Sequence, residues 1–362
     1  MDIHVLDREF NLIGVVDGYT SVIWRPAYYN VGDFELYLDA STDNVNLLQK
    51  DHYLVRGQDI YVDEEGNTTF KKVMLIKNQV IRTDIEGADY LTVTGRELKF
   101  ILNSRIVWSQ TNLTGNVVTS IEKLVNENAI TPADTNRAIP NLILDESLVV
   151  TDTIDKQLTG DKLDEAITEI CMTYDIGYDI YIKNKKLIFK LYKGVDKSNC
   201  LPHVIFSEEF ENILNSEYEC NTENYANTTL VGGEGEGLER IYTSVNNTNS
   251  GLDRYEVFTD ARDISQNKDS DEAIDINTYY NLLNERGLEK LSEHSIIEAF
   301  AGEVQHDGNY KYGTDYYLGD TVTIINKYGI TKSVKVLSAI ESHDENGTKL
   351  IPQFNGGAEN VE

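Results

Sequence analysis

Within the first hundred residues almost every apolar stretch is too short for a helix, and each is closed by turn residues. Ile3 to Leu6, Leu12 to Val16, Ser21 to Trp24 and Phe34 to Leu38 are separated by Asp7-Arg8-Glu9, Asp17-Gly18 and Gly32-Asp33. Further runs follow at Tyr53 to Arg56, Ile60 to Val62, Lys71 to Arg82 and Tyr90 to Thr94, the last two joined by Thr83-Asp84-Ile85-Glu86-Gly87. Runs of this length, bounded by Asp and Gly, form strands, and many of them at close spacing form a barrel or a sandwich. One short helix fits Asp43 to Gln49, with Val45, Leu47 and Leu48 turned inward.

The pattern changes after Trp108. Val117, Val118, Ile121, Leu124 and Val125 recur at helical spacing, as do Leu163, Ala166, Ile167, Ile170, Cys171 and Tyr174 behind an expected Asp161 cap. Tyr178 to Ile182 and Leu187 to Tyr192 flank the turn Lys183-Asn184-Lys185 and predict a hairpin. Strands resume at Thr228 to Val231, Arg240 to Val245 and Arg254 to Thr259, before a helix over Asn277 to Ser292 that uses Leu282, Leu283, Leu288 and Leu291. The last strands are Ala301 to Gln305, Thr321 to Ile325, Ser333 to Ile340 and Lys349 to Gln353.

The expected class is therefore α+β, predominantly β, with two small β-barrel domains at the chain ends and α/β modules between them. Residues 1–110 form an N-terminal β-barrel, completed by strands from 216–260. Residues 111–215 form an α/β insertion module, and 216–300 hold strands plus a connecting helix. Residues 301–355 form a C-terminal β-barrel, and 356–362 a disordered tail. A weak internal repeat links the two ends. Gly32-Asp33 opens Phe34-Glu35-Leu36, and Gly319-Asp320 opens Thr321-Val322-Thr323-Ile324. Long strands also turn through Asp84-Ile85-Glu86-Gly87 and Asp344-Glu345-Asn346-Gly347. Asp and Gly are common turn residues, so either match alone is weak.

Composition narrows the function. Lys and Arg number 32 against 61 Asp and Glu, a formal charge of −29. Nucleic-acid binding needs a basic footprint, and no Lys/Arg cluster exists here, so no stable nucleic-acid partner is expected. The acidity reads as a solvated surface, or as a wall past which DNA slides without sticking. The 22 Tyr outnumber the 10 Phe and 2 Trp. Tyrosine suits strands and half-exposed interfaces. Cys171, Cys200 and Cys220 are odd in number and lack CxxC spacing, which implies no disulfide framework and fits a reducing cytoplasm. Met1-Asp2-Ile3-His4 has neither a basic n-region nor an apolar h-region, so no signal peptide is expected. No run approaches 18 apolar residues, so no membrane partner is expected either.

Chemistry is scarce. His4, His52, His203, His294, His306 and His343 form no HxxxH, HxH or HExxH pattern, so no metal site is expected. No GxSxG, P-loop or Cys/His pairing appears, so no catalytic residue and no cofactor is nominated. Gly232-Gly233-Glu234-Gly235-Glu236-Gly237 follows the strand Thr229-Leu230-Val231. Its glutamates would repel phosphate, so it reads as a strand end where glycine permits close backbone approach. The Asp/Asn-rich stretch 260–275 lacks the regular calcium-loop pattern.

The N-terminal block resembles the siphophage-type tail hub proteins found in phages and prophages of Gram-positive bacteria. The matching residues are Val5-Leu6-Asp7, Phe10, Ile13-Gly14, Ser21-Val22-Ile23-Trp24, Gly32-Asp33-Phe34-Glu35-Leu36, Tyr53-Leu54-Val55-Arg56 and Tyr90-Leu91-Thr92-Val93-Thr94-Gly95-Arg96. Val231 to Gly237 with Arg240, and Leu318-Gly319-Asp320-Thr321-Val322 with the closing hairpin to Pro352, extend it; 111–215 matches only loosely. The resemblance implies a trimeric ring at the tail tip (the baseplate) of a phage or phage-tail-like particle, assembled in the bacterial cytoplasm. It implies two similar β-barrels per subunit that mimic the six-fold tube, and no catalytic residues. It also implies partners: further copies of the chain, a tail tube or distal tail protein, a tape measure protein, and a trimeric spike or fibre. Some such proteins carry a C-terminal wall-degrading domain; here the sequence stops soon after Gln353, so that activity is expected on another protein. The alternative is a tail-tip receptor- or carbohydrate-binding protein, in which Tyr and Trp on strands stack on sugars.

Overall fold

The computed structural model describes residues 1–16, 18–85, 87–266, 274–304 and 308–354, with backbone alone at 215, 216 and 298–303. The expected tail at 356–362 and His306 lie outside the described residues.

The N-terminal β-unit runs through β1 (Ile3–Leu6), β2 (Leu12–Val16), β3 (Tyr19–Arg25), β4 (Asp33–Asp39), β5 (Tyr53–Arg56), a small hairpin of β6 (Ile60–Val62) and β7 (Thr68–Phe70), and the long hairpin of β8 (Met74–Thr83) and β9 (Asp89–Glu97). Strict alternation along β4 buries Phe34, Leu36 and Leu38 against Val22, Trp24, Ile76 and Val93. Each such side chain contributes about 1.5–3 kcal/mol on full burial. Between β4 and β5 lies α1 (Thr42–Leu47), started by the Ser41 hydroxyl, which accepts from the Asn44 N–H. Leu48 is buried, while Val45 and Leu47 are half-buried.

The middle of the chain supplies β10 (Thr111–Asn116), α2 (Val117–Val125), β11 (Leu142–Leu144), β12 (Thr153–Leu158), α3 (Leu163–Tyr174), β13 (Gly177–Lys183) and β14 (Lys186–Tyr192). The apolar stripes of α2 and α3 share one core with β13 and β14. Asn116 caps α2, but the expected Asp161 cap of α3 is absent. Lys162 holds the N-cap without a side-chain bond, and the Asp161 carboxylate accepts from Thr159 N–H instead. In this sheet β13 pairs on its outer side with β7, so the N-terminal hairpin joins the middle module's sheet.

The remainder contains β15 (Ile205–Ser207), β16 (Ile213–Asn221), β17 (Thr228–Gly232), β18 (Tyr242–Val245), β19 (Glu256–Asp260), α4 (Ile276–Glu293), β20 (Ile297–Val304), β21 (Thr321–Ile325), β22 (Thr331–Asp344) and β23 (Gly347–Phe354). α4 covers the three-stranded sheet β18-β17-β19, with Tyr279, Leu282, Leu283 and Leu291 buried; Leu288, expected inward, is 39% exposed. The strands of 216–260, expected to complete the N-terminal unit, pair elsewhere. β16 adds to β20, and β17 to β19 form their own sheet.

The two β-units share one wiring. In the first, the spatial order β3-β4-β9-β8-β5 visits the strands in chain rank 1-2-5-4-3. In the second, β16-β20-β23-β22-β21 does the same, and in both every neighbour is antiparallel. The detail agrees as well. A bulge interrupts β8·β9 between Ile76 and Asn78, and another interrupts β22·β23 between Val336 and Ser338. Asp51 N–H donates to Ile76 O and Ile76 N–H to His52 O, both at 2.9 Å. Gly319 N–H donates to Val336 O at 2.7 Å and Val336 N–H to Asp320 O at 2.9 Å. Asp51 and Gly319 both take a left-handed φ, 64° and 86°.

The Asp-x-x-Gly turns of the expected repeat therefore correspond. The Gly-Asp starts do not: Gly319-Asp320 corresponds to Asp51-His52, and Gly32-Asp33 precedes a different strand. The second unit also begins at Ile213, well before residue 301. The expected predominantly β, α+β class holds, and the two barrels take the form of open β-units, with no closed ring of pairings among the described residues.

Candidate functional site

With no catalytic residue expected, the informative places are the junction between the units and the strand edges they leave open. The junction is built on β22, which is longer than its neighbours. Its first half pairs with β21, and further on Glu341, Ser342 and His343 pair with Trp24, Ile23 and Val22 of β3. The two units thereby form one continuous sheet.

A charged cluster sits beneath this seam. Arg56, at the end of β5, is fully buried; its Nε lies 2.5 Å from Asp59 Oδ2 and its Nη1 2.6 Å from Glu341 Oε1. The second contact is an ion pair by distance, although its angles do not make it a hydrogen bond. The guanidinium also lies 5.4 Å from the Trp24 ring centre. Burial opposes its charge, but Glu341 and then Asp59 more than offset that, and its pKa is raised. Beside it Lys72 Nζ stacks 4.3 Å from the Tyr312 ring centre, and its pKa is lowered by burial and by Arg56.

Tyr28 and Tyr29 hold a second tie. Tyr28 N–H donates to Leu337 O at 2.7 Å, and the Tyr29 hydroxyl donates to Asp175 Oδ1 at 2.7 Å, whose Oδ2 accepts from Lys335 Nζ at 2.8 Å. The Tyr28 ring lies where a Cβ on Gly177 or Gly319 would stand 2.1 or 2.3 Å away, so only glycine fits at either position. Burial raises the pKa of both tyrosines, and Asp175 adds to it. A third cluster fixes the β3–β4 turn: Lys99 Nζ lies 3.2 Å from Glu97 Oε2, which accepts from Gly32 N–H at 2.9 Å. A cavity of about 590 Å³ opens beside these groups, lined among others by Lys72, Asp179, Tyr192 and Tyr312.

The glycine-rich run is held within the fold, while 267–273 of the Asp/Asn-rich stretch lie outside the described residues. In the glycine-rich loop the carbonyls of Gly232 and Gly233 accept from the Arg240 guanidinium at 2.8 and 3.1 Å, while the Glu234 N–H donates to the Tyr279 hydroxyl at 2.7 Å. A phosphate loop offers amides to an anion; this one offers carbonyls to a cation. Cys171 is buried, its thiol pKa pushed up by burial, while Cys200 and Cys220 are exposed. Among the described residues no three His, Cys, Asp or Glu converge as metal ligands, and no helix is long and apolar enough to cross a membrane.

The open edges contrast with the filled seam. β22 beyond Val336 is covered by β3, but among the described residues the corresponding half of β8, Asn78 to Thr83, has no backbone partner on that side. Nor has the outer edge of β16. Ile81, Ile85 and Tyr90 of the β8–β9 hairpin are exposed.

Two β-units of identical wiring, joined where β22 pairs with β3, make up a fold that solved structures share. The tail protein of Neisseria meningitidis MC58 has it, with 13% identity, a TM-score of 0.56, and 98% of this chain and 95% of that one covered. So does the 43 kDa tail protein of prophage MuSo2 from Shewanella oneidensis, with 10% identity, a TM-score of 0.59 and 98% of both chains covered. The prophage tail protein gp18 from Listeria monocytogenes EGD-e aligns with 12% identity and a TM-score of 0.54, over 99% of this chain and 96% of its own. The chain belongs to the Siphovirus ReqiPepy6 Gp37-like protein family, whose model its sequence matches over residues 2–354. No curated protein matches it at a significant level.

Proposed function

We propose that this protein is a structural hub of the tail tip or baseplate, three copies of which form an open ring joining the hexameric tail tube to a trimeric spike or fibre. The duplicated unit carries this reading. Two equivalent β-units per chain and three chains give six equivalent positions, which fit a six-fold tube while presenting three-fold symmetry on the other side. Its neighbours are then further copies of itself, a tail tube or distal tail protein, the tape measure protein and the spike or fibre. DNA passes through the centre without being held, and the acidic surface supports this. The protein carries out no catalysis; its buried charges are spent on holding the units together.

Imaging of tails carrying a tagged copy tests the assignment. Three copies around an open centre at the tip are expected, and a stable two-fold dimer, unchanged by salt or partner, overturns it. A peptidoglycan zymogram is expected to be blank, and a lytic band would contradict the non-enzymatic reading. Saturable binding on a glycan array would favour the receptor-binding alternative.

A further inference from the structure

The internal duplication specifies how one copy meets the next. Matching bulges place Ile76 with Val336 and Asn78 with Ser338, so Ile81 corresponds to Glu341 and Arg82 to Ser342. Through β9 and β23, Glu35 corresponds to Ala301, because they pair with Thr94 and Gln353. Glu35 pairs with Ile23 and Ala301 with Glu217, so Glu217 corresponds to Ile23 and Tyr218 to Trp24. Within the chain, Glu341 pairs with Trp24 and Ser342 with Ile23. Substituting equivalents, the open edge of β8 would receive β16 with Ile81 opposite Tyr218 and Arg82 opposite Glu217.

We propose that the β8 edge of each copy pairs antiparallel with the β16 edge of a second copy in this register, repeating between chains the seam that β22 and β3 form within one. Three observations converge. Both edges lack a backbone partner among the described residues, and unpaired edges are templates for strand addition. The register sets an exposed cation, Arg82, directly against an exposed anion, Glu217. It sets Ile81, which is 52% exposed, against a tyrosine. Opposite charges and aromatic–aliphatic pairs are the favourable cross-strand pairs. None of this complementarity is imposed by the duplication, since the internal seam carries Ser342 against Ile23. The contact is head-to-tail, so it builds a ring or a filament and not a two-fold dimer, and three-fold closure is what the ring reading supplies. This inference rests on the ring reading and adds its register.

Cross-linking in the full chain tests it. With Cys200→Ser and Cys220→Ser as background, Arg82→Cys together with Glu217→Cys should yield disulfide-linked trimers under mild oxidation. Arg82→Cys with Tyr218→Cys, whose side chains face opposite sides of the sheet, should cross-link at least about ten-fold less. In a second arm, Arg82→Glu should weaken trimerisation about ten-fold, and adding Glu217→Arg should restore it. Both residues are exposed, so circular dichroism should show the fold unchanged. Trimers that form without the Arg82–Glu217 cross-link, or without charge-swap rescue, overturn the register and leave the ring standing. A chain that stays monomeric at high concentration and high salt, without cross-links, overturns both.

Discussion

Arg56 and Glu341, from opposite ends of the chain, meet 2.6 Å apart in the seam between the two β-units. Arg56 is fully buried and the Glu341 side chain is 12% exposed, so removing Glu341 leaves the buried guanidinium with Asp59 alone, and removing Arg56 leaves two carboxylates without their cation. Breaking a buried pair costs about 3–5 kcal/mol. Glu341→Ala should lower the free energy of unfolding by up to that amount, because Arg56 then keeps only Asp59. Arg56→Met should do the same, because Asp59 and Glu341 are left facing each other. Equilibrium urea unfolding measures both, and a loss under about 1 kcal/mol for either would show that the seam does not depend on this pair.

Gly287 lies in the interior of α4, where alanine is normally better by about 1 kcal/mol. Here a Cβ would stand 2.7 Å from Val245 Cγ2 and 2.8 Å from Val231 Cγ2, because the helix rests directly on the sheet. Gly287→Ala should therefore destabilise by about 1–3 kcal/mol, against propensity. Thermal unfolding decides the sign.

The pH dependence has two limbs. Asp196 is held down to about 2 by hydrogen bonds from Asn199 and Ser198, and Asp260 to about 2 by Arg262. Such groups contribute stability that is present above their ordinary value and lost as pH falls through the folded value. Asp155 and Glu285 are instead pushed up by burial. They bind protons more tightly folded than unfolded, so stability rises as pH falls through their folded values. Melting temperature should climb as pH falls from 7 through the raised values of Asp155 and Glu285, and drop again at lower pH as Asp196 and Asp260 protonate. A profile falling monotonically from pH 7 would contradict the raised carboxylates.

A net charge of −29 leaves counterion release nothing to work with. Mobility-shift assays at about 0.1 M salt, where the screening length is about 10 Å, should show no retained DNA. A sub-micromolar, salt-sensitive complex would contradict both the charge argument and the passage of DNA through the ring.

Much of the fold was legible because strands and helices announce themselves locally: the runs read at Tyr53 to Arg56 and Thr321 to Ile325 are β5 and β21 to the residue. The equivalence between the units was half legible. The Asp-x-x-Gly turns match, but the left-handed position before β5 is filled by Asp51, where the second unit has Gly319, so the Gly-Asp letters drew the comparison to the wrong strand. The seam was not legible. Arg56 ends a short strand whose last three residues are all buried, and its partners Glu341 and Trp24 come from separate strands at the two ends of the chain. β16 was assigned to the wrong unit because the strand it pairs with, β20, follows a whole inserted module.

That inserted module has a consequence for how such chains diversify. In the first unit the connection corresponding to β16–β20 is the short turn between Arg25 and Asp33; in the second it carries β17, β18, β19 and α4. The strands on either side keep the same order in both units. The same connection is thus a tight, mostly buried turn in one unit and a folded cassette in the other, so the strand order does not depend on what joins these two strands. Exchange of this cassette alone would give the chain a new surface while both five-strand units keep their wiring.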